Sequence, residues 1–339
     1  MANASDPVKD NLHDVFNETL GFGKIYVVSM PERSDKRDTI SVQARLTGMS
    51  FDFVDGVAGA KVLEKALPYT MNRTGPEIGC WRSHLNAMQE MVRQKIRSAL
   101  IFEDDADWDV ALKAQMLQVA RGSRWLLGNP KDAIPYSPYG DGWDVLWIGH
   151  CSSEPSGSRR WVIPRDPTVV PPSDRGYWFK PDMTTWESGA DPDTQTRLLF
   201  EVGLGSCSAA WAISLAGAEK ILYQLSMSPF NDAIDMGVSD MCFRKTLNIS
   251  CIAPFPTIIG VSKPAGSLER GSDIRDDESN THTEQGIRPT SESERVVFST
   301  RQNIERLITK QDTFESRYPD VTGQFMSLKD IGSAIGHGE

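Results

Sequence analysis

The sequence predicts an α/β fold built on a largely parallel or mixed sheet. Two observations predict it. Short, continuous apolar runs recur at KIYVVS (24–29), SALIF (98–102) and WDVLWIG (143–149), as expected of strands buried on both faces. Between them lie segments with apolar residues at helical spacing, so strands and helices alternate.

The elements follow in order. Residues 1–22 are polar and read as a leader or linker. Lys24–Ser29 is rich in β-branched residues and reads as the first strand. Met30–Lys36 holds Pro31 and mixed charges, a loop, and Arg37–Leu46 suits a helix. Ser50–Asp55 alternates as a second strand, closed by Gly56 and Gly59. Ile78–Gln94 is the clearest helix: Ile78, Trp81, Leu85, Met88 and Val92 form one stripe. Ser98–Phe102 is a third strand, Ala111–Ala120 a helix and Trp143–Gly149 another buried strand. Residues 121–142 and 152–200, rich in Pro, Gly, Ser and Asp, read as irregular loops suited to binding a variable substrate. Cys207–Ser214 reads as a strand, and Ser214 as the cap of a helix to about Leu225. Asn231–Leu247 is expected as helix, Ile249–Ala253 as strand, 267–295 as polar loop and Val296–Lys310 as a terminal helix.

The chain has 339 residues, 36 Lys+Arg against 46 Asp+Glu, and a net charge of −10. That balance argues against a nucleic-acid surface or an anionic membrane as the main partner. No apolar run approaches the roughly 18 residues of a membrane span, and the N-terminal segment has no signal-peptide core. Five cysteines (80, 151, 207, 242 and 251) show no CxxC and no zinc spacing. They permit at most two bridges, and buried free thiols are the expectation for most of them. Sequons stand at Asn3, Asn17, Asn72 and Asn248.

Chemistry concentrates in FEDDADWD. Glu103, Asp104, Asp105, Asp107 and Asp109 follow a buried strand, and open α/β sheets bind ligands at strand C-termini. Crowded carboxylates favour a hard divalent cation; a solvated turn is the plain alternative. If the strand continues, Glu103, Asp105 and Asp107 share a side, with Asp105 the preferred ligand and Asp107 its partner. A second acidic set is Asp232, Asp235 and Asp240. Asp232 and Asp235 would share a helix face, as a general base or as dipole-favoured acids at a helix start. His84, in IGCWRSH, and His150 are each either packed structural groups or site residues. The basic loop Arg33–Arg37 would meet phosphates or simply face solvent. No GxGxxG, P-loop, GxSxG or HExxH motif is present.

Taken together, IYVVSMPERSDKR, FDFVDGVAG, PEIGCWRSHLNA, LIFEDDA and the Trp143-Asp144…Gly149 strand resemble glycosyltransferase family 25, in style most like its fungal members. The likeness runs over about residues 23–151. Beyond it, VGLGSCSAAWAISLAGAEKIL, IDMGVSDMC and KPAGS with Ser272-Asp273-Ile274 are similar to later family segments. Ser262 and Lys263 stand where some relatives have histidine.

The resemblance implies a GT-A type single domain, 23–312, with a Rossmann-like donor-binding half (23–151) and an acceptor half (152–312) around a mixed central sheet, then a tail, 313–339. It implies a UDP-sugar donor, an inverting hexosyl transfer, galactose above all, and a divalent cation, usually Mn²⁺. The cation would meet the Asp105 region, and Glu103 or Asp104 the ribose or a metal-bound water. Arg37 would steady the nucleotide, with Ser83 and His84 positioning the site. Asp235, with Asp232 beside it, would take the proton from the hydroxyl of a glycan or glycoprotein acceptor. The Golgi lumen is the implied location, the cytoplasm its alternative. Two other readings are a non-catalytic sugar-binding relative and a metal-dependent phosphohydrolase.

Overall fold

The computed structural model describes residues 10–130, 134–273 and 286–339. The leader's first nine residues with Asn3, parts of the loops expected at 121–142 and 267–295, and Ile274 lie outside them.

The expected strands and helices form a layered α/β structure. Strands β1 (Lys24–Ser29), β2 (Asp52–Asp55) and β3 (Ser98–Glu103) are separated by α1 (Ser34–Leu46) and α2 (Gly75–Gln94). After β4 (Ala106–Trp108) come α3 (Leu112–Leu126), β5 (Val145–Gly149), β6 (Ser152–Pro155), β7 (Trp161–Ile163) and the short α4 (Thr184–Glu187). Then follow β8 (Arg197–Ser206), β9 (Ala210–Ser214), α5 (Leu215–Leu222), α6 (Ile234–Arg244), β10 (Cys251–Phe255) and β11 (Ile259–Lys263).

The main sheet has ten strands among the described residues. From one edge they run His337–Gly338, β7, β8, β10, β5, β9, β3, β1, β2, with β6 on β8. β1 is parallel to β2 and β3, and β10 is parallel to β5. β9 is antiparallel to both β3 and β5, so the sheet is mixed and a strand from the chain's second half sits inside the first. A smaller sheet joins β4, β11 and Glu292–Glu294.

Alternation within the buried strands sorts side chains onto two faces. Ala99, Ile101, Val145, Trp147, Trp211 and Ile213 pack with α2, α5 and α6. Leu100, Phe102, Leu146, Ile148, Ala210 and Ala212 pack with α1 and α3 on the other face. Each large side chain so buried contributes about 1.5–3 kcal/mol. α2 opens with a capping box, Thr74 accepting from Glu77 N while Glu77 accepts from Thr74 N. Gly79 of α2 lies against the loop after β2: an added Cβ would sit 2.4 Å from Val57 O.

Several expectations are corrected. The segment read as a leader packs from Asn11 onward, with Val15 and Leu20 fully buried and Leu20 O accepting from Tyr139 Oη. Part of the expected tail pairs instead with β7 at the sheet edge. β8 was hidden by its glycines; a Cβ on Gly205 would meet the Trp147 ring at 2.7 Å. The terminal helix is confined to Ile304–Ile308, while Val296–Phe298 is buried without being helical. Four cysteines are bridged, Cys151–Cys207 and Cys242–Cys251, and Cys80 alone is free.

Gly79→Ala is expected to cost about 1–3 kcal/mol, the range of overpacking in a tight contact, because the obstacle is backbone. Urea unfolding of the two proteins measures it; an unchanged midpoint would show that the loop yields freely.

Candidate active site

β1, β2 and β3 end side by side at Ser29, Asp55 and Glu103. A cavity of about 350 Å³ opens at that edge, lined by the end of β1, the glycine loop 56–60, the first turns of α2, the acid turn and Asp273. This is where parallel strands leave room for a ligand.

The acid turn sits there because the chain does not continue as a strand. It turns at Asp104–Asp105 before β4. Glu103, Asp104 and Asp105 therefore line the cavity, and Asp107 does not. Asp107 is fully buried and accepts from Gln43 Nε2, Trp108 N, Ser293 Oγ and Ser299 Oγ. Its expected role as a metal ligand is corrected: its oxygens tie β4 to the segment after Glu292–Glu294. Asp109 likewise accepts from Ala111 N and Phe298 N.

Three carboxylates in one turn need compensation. Lys36 Nζ, on α1, lies 3.0 Å from Asp104 Oδ1 and 2.8 Å from Asp273 Oδ2. Burial pulls the Lys36 ammonium down, but Asp105 and Asp104 outweigh it and hold its pKa above the usual lysine value. Arg301 donates to the carbonyls of Asp104 and Ala106, and Ser262 N donates to that of Asp105. His84 Nε2 lies 3.3 Å from Glu103 Oε1, and Ser208 Oγ donates to the same oxygen at 2.6 Å. Burial pushes Glu103 up, yet His84 and Ser208 hold it below the ordinary carboxylate value.

Asp105 is left over. Its Oδ1 is buried with no hydrogen-bond partner among the described residues. Burial, then the charge of Glu103, pushes its carboxyl up to about 7. A buried, unpartnered carboxylate oxygen beside a second carboxylate suits a hard divalent cation, so the residues present fit the metal that the resemblance implies.

The other expected residues divide. Asp235, in the first turn of α6, accepts from Cys207 N at 2.6 Å. Burial raises its pKa, and the charge of Glu103 adds to that, so it stands in the field of the site without lining the cavity. Asp232 instead pairs with Arg73 at 2.7 Å with its side chain 48% exposed, which removes it from the site. Arg37 donates to Ser29 O, pairs with Asp55 and lies over Phe53; it braces the β1–β2 end and is not among the lining residues. Ser83 accepts from Val57 N and donates to Gly79 O, fixing the glycine loop from inside the wall. His84 packs edge-on against Trp211 and also positions Glu103. Asp144 is structural, accepting from Lys220 Nζ and Ser250 N. His150 is too: Nε2 donates to Pro254 O, and burial lowers its pKa to about 4.

Sequence reasoning missed Ser208 and Arg301 as site residues, and held Lys36 only within the basic loop and Asp273 only within a family-like segment. Lys36 was signalled by the basic loop, whose other cations are taken, Arg33 by Asp35 and Asp273 and Arg37 by Asp55. Arg301 had no local signal.

A mixed central sheet, helices on both faces, and carboxylates at the edge of the parallel strands define a single-domain, GT-A-like glycosyltransferase fold. The family model for glycosyltransferase family 25 (LPS biosynthesis protein) matches residues 22–122. Relatives include a glycosyltransferase 25 family member of Aedes aegypti, 22% identical over 52% of this chain and 28% of its own length. Human procollagen galactosyltransferase 2 is 25% identical over 48% of the chain and 26% of its own length. Human inactive glycosyltransferase 25 family member 3 is 25% identical over 44% and 24%. The chain spans less than a third of the length of these relatives.

Asp105→Asn is expected to stabilise the metal-free protein at pH 8. Between about pH 4, where an unfolded aspartate ionises, and about pH 7, the unfolded chain has released this proton and the folded chain has not. Stability contributed by Asp105 therefore falls as pH rises through that window. Thermal unfolding of both proteins from pH 4 to 8 in EDTA should show a shallower fall in the variant; parallel curves would contradict the burial of this charge.

Proposed function

We propose that this chain is a metal-dependent inverting glycosyltransferase that moves a hexose, galactose above all, from a UDP-sugar to a hydroxyl of a glycan or glycoprotein. The observation that carries the reading is the unpartnered Asp105 carboxylate beside Glu103 in a cavity at the edge of the parallel strands. The name of one relative, procollagen galactosyltransferase 2, supports the sugar and a protein acceptor.

Asp105 and Glu103 would hold a divalent cation, Mn²⁺, which supplies charge stabilisation for the leaving diphosphate. Lys36 would add a second positive charge by exchanging Asp273 or Asp104 for phosphate oxygens. Asp104, which lines the cavity, would accept from the ribose hydroxyls. Ser83 keeps the glycine loop closed over the nucleotide side of the pocket. Asp235 would accept the acceptor's proton as its oxygen attacks the anomeric carbon on the face opposite the departing UDP. Its raised pKa suits a base that must take and then release a proton.

The two disulfides and the exposed sequon asparagines Asn17, Asn72 and Asn248 support an oxidising, glycosylating compartment, the secretory pathway and its Golgi lumen. Two observations favour a non-catalytic relative as the second reading: Lys36 already neutralises Asp104 and Asp273, and two relatives carry the word inactive in their names.

UDP release from UDP-galactose, measured with and without a procollagen peptide and a panel of glycans, separates the readings. A transferase releases UDP in proportion to acceptor; a phosphohydrolase splits the diphosphate with water, giving UMP and galactose 1-phosphate whether or not acceptor is present. Asp235→Asn is expected to lower kcat by about 10²–10⁴-fold, the usual worth of a general base, with UDP affinity kept. Unchanged kcat in the variant would remove Asp235 from the mechanism, and UDP binding with no turnover on any acceptor would favour the non-catalytic relative.

A further inference from the structure

Cys80 and His84 are four residues apart on α2, so both side chains leave the helix on one face, a turn apart. That face overlooks the end of β3. A Cys80 sulfur, a His84 ring nitrogen and a Glu103 carboxylate oxygen lie within 4.8 Å of one another. All three residues line the cavity, so a small ion can reach them.

We propose that Cys80, His84 and Glu103 form a zinc-binding site in the cavity wall, beside the oxygen site at Asp105 and sharing Glu103 with it. A soft sulfur, a borderline imidazole nitrogen and a carboxylate oxygen make a mixed set of the kind Zn²⁺ takes, whereas Mn²⁺ and Mg²⁺ favour oxygen. Three protein ligands leave a fourth position, open to the cavity, for water or an anion. Supporting groups are in place. Ser208 Oγ donates to Glu103 Oε1, and the Trp211 ring fixes the His84 plane. His84 is 1% exposed, and its Nδ1 is buried with no partner among the described residues. The nitrogen that faces Glu103 is Nε2, 3.3 Å from Oε1. Cys80 is the one unpaired cysteine, the other four being bridged to one another. Binding is balanced simply: the Cys80 thiol gives its proton to solvent, and its sulfur lone pair goes to the metal. The site stands on its ligands alone and does not depend on the glycosyltransferase reading.

Cobalt(II) reports such a site directly. Titrating the metal-free full chain with Co²⁺ is expected to give one bound ion with intense visible bands of tetrahedral cobalt and a near-ultraviolet sulfur-to-cobalt band. Zn²⁺ should then displace it. Because Cys80 is the one free thiol, Cys80→Ser should abolish the sulfur band. His84→Gln should weaken Zn²⁺ binding by more than about 10-fold, the least that even outer partners of a metal site give. Zn²⁺ should also protect the wild-type thiol from iodoacetamide, a measurement that needs no variant to fold. Weak octahedral spectra, a sulfur band that survives Cys80→Ser, or alkylation at the same rate with and without Zn²⁺ would each overturn the proposal.

Discussion

The constraint on which the rest of the site depends is the mutual repulsion of Glu103, Asp104 and Asp105 at the end of one buried strand. Two unit charges about 4 Å apart near a protein surface interact by roughly 4 kcal/mol, so three carboxylates cannot sit together without help. Each has a different remedy. Asp104 takes the Lys36 ammonium. Glu103 takes His84 and Ser208. Asp105 Oδ1 takes no hydrogen bond among the described residues, and burial with the charge of Glu103 pushes the carboxyl up to about 7. The backbone of the turn is held by Arg301 and Ser262. Residues from α1, α2, the loop before β9, β11 and the segment before Ile304–Ile308 therefore converge to make one acidic turn tolerable. A local cost kept in place by distant elements is the usual mark of a functional site.

The same convergence explains how the chain's two halves become one body. Asp273 reaches Lys36 and Arg33, and β9 lies between β3 and β5. The disulfide Cys151–Cys207 joins the end of β5 to the loop whose backbone holds Asp235. The family match ends at residue 122, so Asp235, Asp273 and Arg301 all come from outside it.

Much of the fold was legible because burial on both faces writes itself as an apolar run. Lys24–Ser29 is a strand with the expected bounds, and Ser98–Phe102 gains only Glu103. α2 was legible from its stripe, and Ser214 caps α5 as expected. β8 was not, because its Gly203 and Gly205 and its Arg197 and Glu201 break the apolar signal, while Arg197 is neutralised only in three dimensions by Asp166. Val296–Phe298 was mistaken for a helix start, since three apolar residues carry no period of their own. Among site residues, Glu103, Asp104 and Asp105 were legible from charge density after a strand. Asp107 was misassigned because two residues of turn break the alternation that would have placed it beside Asp105. Arg37 and Lys36 are adjacent, and only the start of α1 decides which of them points at the cavity. The disulfide pairs could not be read from spacing at all.

The central claim is that the Asp105 turn is a cation-dependent nucleotide site. Calorimetric titration of the protein with UDP, in Mn²⁺ and in EDTA, tests it most directly when run beside Asp105→Ala. The account predicts UDP binding in Mn²⁺ that disappears in EDTA and in the folded variant. UDP binding of equal strength in all three, or none in any, would contradict it.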